Sequence, residues 1–380
     1  MKRLVAIGIL LLIVAATISI AWLFLGEEGK RIPRFSSEYL SAPANRSLPI
    51  ERDPLPVNLT PVKIPYNFQI SWAHLWEGVY TEVGGVYKVE INNTSENLLY
   101  VRSITLHLGD EEATKEVMRV VEEGLDAGVV YIPGPGEPGT YNFQIELDIY
   151  SGREGLWHHY RSVTTSPRQE EVEELPFLTY YHVRRDGELY HLVNDKIWDE
   201  IGEVRGVARE ILGNLTGEFG MDQVIYLFRW TSENIEYLSD PGGVANYWAS
   251  PMETFRLRAG DCEDVALFLG AMLTTIGGSV RVVVAASHAY LMLYVGEDVD
   301  GVVYSLQKSY TTPMPLAFFQ DSFGFWLVID PLSHAYPGTL PISTVPSLCG
   351  GPVLLPGEYH FGYTGSGKVL FTDIFRGGNV

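Results

Sequence analysis

The chain has 380 residues, 46% of them hydrophobic, and its 27 basic against 47 acidic residues give a net charge of −20. That apolar content supplies cores for roughly two or three domains and excludes wholesale disorder, while so acidic a surface repels phosphate backbones and excludes a basic nucleic-acid-binding class. Two cysteines, Cys262 and Cys349, are too few for a disulfide framework or a multi-thiolate zinc site, so a cysteine that matters here acts individually.

After Lys2 and Arg3, an apolar stretch runs from Leu4 to Leu25, interrupted by Gly8, Thr17 and Ser19. It is long enough to span a bilayer. Trp22-Leu23-Phe24-Leu25 stands where a cleavage site needs small residues, so an uncleaved transmembrane signal-anchor over 1–25 is expected. Basic residues flank it on both sides, and charge alone leaves its orientation open. Sequons at Asn45, Asn58, Asn92, Asn93 and Asn214, with a body rich in Tyr, Gly and Pro, shift the expectation to a single-pass cell-membrane protein with a large extracellular ectodomain. Residues 26–65 carry prolines at 33, 43, 49, 54, 56, 61 and 65 without periodicity, which predicts an extended stalk.

From 66 to 166 the reading is an all-β, immunoglobulin-like sandwich. Strand-like runs lie at 68–72, 86–91, 98–108, 141–149 and 160–164 between Gly, Asn and Pro turns. The remaining segment, 167–380, reads as α+β. Ile197, Ile201, Val204, Ile211 and Leu215 recur at helical spacing, as do Val224, Ile225, Phe228 and Ile235. A third helix shows one apolar face from Val265 to Ile276 and stops at Gly277-Gly278. Strands are expected at 280–286, 288–295, 302–306 and 325–329, with a hairpin turn at Asp300-Gly301.

The chemistry concentrates in Tyr247-Trp-Ala-Ser-Pro-Met-Glu-Thr254 and Ala259-Gly-Asp-Cys-Glu-Asp-Val-Ala266. Cys262 stands at a helix start, where free N–H groups and the helix dipole favour a thiolate and can hold an oxyanion. Downstream, Ser287-His288-Ala289-Tyr290 opens one strand and Trp326-Leu-Val-Ile-Asp330-Pro331 closes another. Were those strands neighbours, His288 would deprotonate Cys262 and Asp330 would orient the imidazole, completing a nucleophilic triad. Trp248 and Asn246 are candidates for a further oxyanion donor.

In these three ordered motifs the sequence resembles the transglutaminase-like superfamily of papain-like cysteine enzymes, over roughly Pro176 to Leu332. The resemblance implies a papain-like catalytic fold with Cys262, His288 and Asp330 as catalytic residues. Around Cys262 the sequence also resembles bacterial periplasmic cysteine proteases that trim surface adhesins, whose acidic residues beside the cysteine are associated with calcium. Asp261, Glu263 and Asp264 would raise the thiol pKa unless a hard cation offset them, so calcium is one expectation; helix capping by Asp261 and Asp264 is the other. No cofactor is required for the chemistry.

The expected activity is a membrane-anchored cysteine peptidase hydrolysing amide bonds in a protein or peptide substrate. A protein-glutamine acyltransferase sharing the acyl-thioester, and a non-enzymatic surface-assembly or adhesion module, are the alternatives. Neither nucleic acid nor nucleotide is an expected partner: Gly362-Tyr-Thr-Gly-Ser-Gly-Lys368 has phosphate-loop spacing, but Val369 replaces the required Ser or Thr. His158 and His159 point to opposite sides of a strand, which argues against a joint metal site.

Overall fold

Alternation of apolar and polar residues builds the first half of the structure. Its strands are β1 (Phe68–His74), β2 (Val79–Tyr80), β3 (Gly85–Asn93), β4 (Leu98–Leu108), β5 (Glu111–Val121), β6 (Gly124–Ile132), β7 (Gly139–Arg153), β8 (Leu156–Thr164) and β9 (Arg168–Glu173). A three-stranded sheet ordered β1-β3-β6 faces a six-stranded one ordered β2-β9-β7-β4-β5, with β8 added on β7. Inward residues of both sheets, Tyr87, Val89, Ile91, Ile104, Leu106, Phe143 and Ile145 among them, share one core. In β4, Ile104, Leu106 and Leu108 are buried while Ser103, Thr105 and His107 between them are only partly so, as alternation requires, and the bulge between Val101 and Ser103 turns Arg102 out to solvent. β5 and β6 were not legible as strands, because β5 opens on the largely polar run Glu111-Glu-Ala-Thr-Lys-Glu116.

In this computed structural model the described residues are 36–375, apart from Glu77, Glu82, 175–180, Asp186, Thr216, 241–246, 286–287, His334, 340–348, 351–352, 356–357, 361–362 and 365–366. The expected membrane segment Leu4–Leu25 lies outside them. Among the described residues, no helix is long and apolar enough to cross a membrane.

Residues 36–65 depart from the expected free stalk. They are extended, but their polar groups are bound to the body of the protein. Ala44 accepts a hydrogen bond from Met221 N–H and donates its own N–H to the Phe219 carbonyl. Ser41 N–H donates to Ser279 Oγ, Leu48 N–H donates to Ser309 Oγ, and Arg46 pairs with Asp222 at 3.1 Å. Further on, Asp53 Oδ2 accepts Val120 N–H, and Asn58 and Thr60 exchange backbone hydrogen bonds with Trp157. The segment is a strap laid first on the second half of the chain and then on the sandwich. Proline-rich backbone makes no ladder of its own, so its remaining N–H groups find partners elsewhere.

The second half begins with β10 (Tyr181–Arg185), α1 (Gly187–Leu212) and α2 (Met221–Asn234). After β11 (Glu236–Tyr237) come α3 (Pro251–Leu257), β12 (Ala259–Gly260) and α4 (Cys262–Thr275). Then follow β13 (Val280–Ala285), β14 (His288–Gly296), α5 (Asp300–Tyr310), β15 (Leu316–Asp321) and β16 (Gly324–Ile329). Short strands β17 (Cys349–Gly350), β18 (Val353–Leu355), β19 (Glu358–His360) and β20 (Tyr363–Thr364) precede β21 (Gly367–Asp373). The main sheet has the order β10-β21-β13-β14-β16-β15-β18-β19, antiparallel except for the β10–β21 pair. This is the expected α+β arrangement.

One element is corrected: 302–306 is helical, not a strand. Asp298 Oδ1 accepts Asp300 N–H at 3.1 Å, so the aspartates make a turn into α5 instead of a hairpin. Val302 and Leu306 then sit one turn apart on its buried face.

The sandwich is fused to the α+β half through a continuous core. Trp76, Val83, Val86, Val129 and Tyr131 pack in the same apolar cluster as α1, α2 and α4 residues, and Trp76 Nε1 donates to Thr339 Oγ1 at 2.8 Å. Asn93 is buried, its carboxamide donating to the carbonyls of Asn97, Val121 and Glu122, so this sequon holds a turn and cannot present a glycan acceptor.

Lys115 is the cation most affected by this packing. It is 7% exposed, with Nζ donating to the Val129 carbonyl at 2.7 Å. Burial, aided by the Arg229 guanidinium, lowers its pKa to about 7. The unfolded chain therefore holds this proton more tightly than the folded one. Its unfavourable contribution is complete below about pH 7 and is relieved as pH rises toward the unfolded lysine value of roughly 10.4. Lys115→Met should stabilise the fold by on the order of 3 kcal/mol at ~pH 6, with the gain shrinking toward ~pH 10. Denaturant melts of both proteins at the two pH values check this; a pH-independent difference refutes it.

Candidate active site

The site is built on the N-terminus of α4. Asp261 is the N-cap residue in extended backbone (φ −90°, ψ −164°), yet its carboxylate makes no capping hydrogen bond. Asp264 acts instead, accepting the Asp261 N–H and, at 2.6 Å, the Ala249 N–H. The capping expectation thus holds for Asp264 and fails for the Asp261 side chain. A Cβ at Gly260 would lie 2.7 Å from Asp264 Cβ, which explains the glycine before Asp261-Cys262. Behind them, Ser250 and Glu253 form a capping box on α3, and Glu200 of α1 accepts from Ser250 Oγ and Met252 N–H at 2.9 and 2.8 Å.

From Glu263 to Leu273 every residue of α4 is buried. The helix packs on β13 and β14 on one side and on α1, α2 and α3 on the other. A sequence apolar nearly all round suits such a position better than the one-faced helix expected. Cys262 at its start and Thr274 and Thr275 at its end reach partly to the surface.

The β13–β14 hairpin brings the second motif alongside. Ala285 pairs with His288, and the next residue, Ala289, donates its N–H to the Cys262 sulfur. β16 lies on the other side of β14, with Ile329 opposite Leu291, so Asp330 follows directly at the strand end. His288 Nε2 meets Asp330 Oδ2 at 2.8 Å. Asp330 is fully buried, and its Oδ1 accepts the Leu332 N–H at 3.0 Å. This pairing commits Nε2 to the carboxylate and leaves Nδ1 to receive a proton.

No hydrogen bond joins Cys262 to His288 in this arrangement. The thiol donates to Glu263 Oε2 at 3.0 Å. Burial first, and then the Glu263 hydrogen bond and charge, push the Cys262 pKa well up, against the lowering from Ala289 N–H. Desolvation and the adjacent carboxylate thus act on the thiol against the helix dipole, in the direction expected of the acidic residues beside it.

The acidic residues have unmet needs of their own. Asp261 and Glu263 are 7% and 5% exposed, and one oxygen of each, Asp261 Oδ1 and Glu263 Oε1, is buried without a hydrogen-bond partner. With the Cys262 sulfur, one oxygen of each lies in a group within 4.8 Å. Burial and Glu263 raise Asp261 to about 7, and burial raises Asp264 to about 6. Two orphaned carboxyl oxygens fit a hard cation; Asp264, committed to backbone N–H groups, stands outside that group.

Sequence reasoning missed the Ala289 amide and the Glu263–thiol contact, because both depend on strand register and rotamer rather than on residue type. Asn246 lies outside the described residues, and Trp248 is buried in the main core. His158 and His159 have separate partners, the Thr60 carbonyl and Asp148. Cys349 lies on β17, opposite Thr364.

Residues 205–315 match the sequence profile of the Transglutaminase-like superfamily, a span that contains Cys262 and His288. No curated protein matches the chain. Among solved structures, a candidate protease from Parabacteroides distasonis is similar at 11% identity and TM-score 0.27, covering 74% of this chain and 68% of its own. A candidate cysteine protease from Cytophaga hutchinsonii is similar at 15% identity and TM-score 0.25, covering 72% and 83%. Red sea bream transglutaminase is similar at 10% identity and TM-score 0.20, covering 67% and 49%.

Glu263→Gln removes the charge beside the thiol while keeping its shape. The rate of Cys262 alkylation against pH, measured with a chelator present, should move down by about one pH unit or more in this variant. An identical profile would mean that burial alone raises the thiol.

Proposed function

We propose that the transglutaminase-like core of this chain is a cysteine peptidase that hydrolyses amide bonds in protein or peptide substrates through Cys262, His288 and Asp330. The observation that carries the proposal is one juxtaposition. The Cys262 sulfur accepts the Ala289 N–H, one residue from a His288 whose Nε2 is held 2.8 Å from a fully buried Asp330.

In the proposed reaction His288 Nδ1 takes the thiol proton as the sulfur attacks the substrate carbonyl, forming the C–S bond. The oxyanion is stabilised by N–H groups at the start of α4. The imidazolium returns its proton to the leaving amine as the C–N bond breaks, giving a thioester. Water, deprotonated by His288, then cleaves the thioester and releases the carboxylic acid and the thiol. An amine in place of water would give crosslinking with the same residues, and resemblance around Cys262 to adhesin-trimming proteases favours water.

The proposal extends to calcium at Asp261 and Glu263, with Asp264 adjoining. A bound cation would offset the carboxylate charge that keeps the thiol protonated. It also retains the membrane anchor at 1–25, the immunoglobulin-like character of the sandwich and an extracellular catalytic domain.

Cys262→Ala and His288→Ala should each remove nearly all turnover with the fold intact. Asp330→Ala should retain more activity, since it only orients the ring, and Cys349→Ala should be nearly silent. Mass spectrometry of candidate surface proteins, with and without added amine, reads the outcome: new termini support hydrolysis, mass gain at glutamine supports transfer. Equal losses in Cys262→Ala and Cys349→Ala would sink the triad.

For calcium, a chelator should lower both Tm and turnover, and added calcium should restore them, because a ligand specific to the folded state stabilises it. Melting and turnover indifferent to chelator would leave the acidic group metal-free.

A further inference from the structure

Beside the nucleophile lies a short strand whose outer edge is open. Glu236 N–H donates to the Arg258 carbonyl and Leu238 N–H to the Gly260 carbonyl, both at 2.9 Å, which ties β11 in parallel to β12. Backbone groups alternate along a strand, so the intervening Tyr237 turns its N–H and C=O away from β12. Among the described residues neither group has a hydrogen-bond partner. β12 continues directly into Asp261 and Cys262, so this edge is fixed in place relative to the thiol.

The side chains here are unusually exposed for their type. Tyr237 is 61% and Leu238 62% exposed, and the Tyr237 hydroxyl lies within electrostatic reach of Cys262, Asp261 and Glu263. Across the same surface Asp240 accepts the N–H of Tyr247, itself half exposed. Solvated aromatic and aliphatic side chains next to a nucleophile, on a strand with one free edge, form a surface that offers both main-chain pairing and apolar contact.

Building on the peptidase reading, we infer that the free edge of β11 at Tyr237 binds the substrate as an added β-strand. The substrate is then an extended, unfolded peptide segment with a large apolar side chain on Tyr237. Extended backbone is required because only it can exchange N–H and C=O bonds with Tyr237 while its carbonyl reaches Cys262. Charge narrows the class further. Glu236 and Asp240 flank the edge at the surface, so an acidic substrate residue at this position meets like charge and a basic or neutral one does not.

The test measures covalent capture and needs no turnover. Peptides carrying a thiol-reactive ketone label Cys262 in the full chain, and their rates are compared with that of iodoacetamide. A peptide with leucine or phenylalanine at the contacting position should label about tenfold faster than its glutamate counterpart, and methylating one particular backbone nitrogen should cost a similar factor. Tyr237→Ala should erase the side-chain preference while leaving the iodoacetamide rate unchanged. Equal rates for parent, N-methylated and glutamate peptides would overturn the inference. So would a Tyr237→Ala variant that slows iodoacetamide as much as the peptides, which would make Tyr237 a support for the thiol. Selective capture without hydrolysis would uphold the strand-binding inference against the peptidase reading; hydrolysis without selectivity would do the reverse.

Discussion

The burial of α4 between a β-sheet and three helices fixes where a thiol can stand. A helix with eleven consecutive buried residues, Glu263 to Leu273, cannot rotate or slide without exposing or crowding several of them. Large apolar side chains contribute roughly 1.5–3 kcal/mol each when fully buried, and Phe268, Leu269, Met272 and Leu273 all are. Position along the helix axis is set at the other end by Asp264, whose carboxylate binds the amides of Ala249 and Asp261. Cys262 therefore stands at a point determined by packing, and β14 and β16 need only deliver their ends to it.

That economy of position has an electrostatic consequence. The same burial that holds the helix removes water from Asp261 and Asp264, and both carboxyl groups are pushed toward their neutral forms. The thiol shares the penalty through Glu263. The helix dipole acts in the opposite sense but is exposed to a smaller share of the sulfur's surroundings than the carboxylate one residue away. Alkylation and oxidation both need the thiolate, so the carboxylate that raises the thiol also works against those side reactions.

Much of this was legible in the sequence. The three motifs, the helices on either side of Gly220 and the strands at 280–285, 288–296 and 324–329 carry local periodicity or turn signals, and local signals survive without the rest of the fold. What could not be read depends on partners distant in sequence. β5 begins with polar residues and earns its place by pairing with β4. Val302 to Leu306 carries the β-branched and aromatic residues of a strand, and only the Asp298 turn and the core beneath make it a helix. The strap's prolines read as a spacer because its partners, Phe219, Ser279 and Ser309, lie some 170 or more residues away. The carboxylates that act on the thiol were visible beside it in sequence; the loss of solvent around it was not.

The strap changes how the molecule is put together. Residues 39–48 bind the α+β half, 53–65 bind the sandwich, and Tyr39 meets Phe375 ring to ring at 4.7 Å. In chain order the sandwich is thus an insertion within an α+β unit whose strap precedes it and whose helices and sheet follow it. Such a unit cannot mature as it is synthesised: its earliest segment waits for docking sites made more than 170 residues later, and the high sequence separation of these contacts slows their formation. The strap seats at the Ser279 end of β13, the far end from His288, and by binding both the α+β half and the sandwich it couples the completion of one to that of the other.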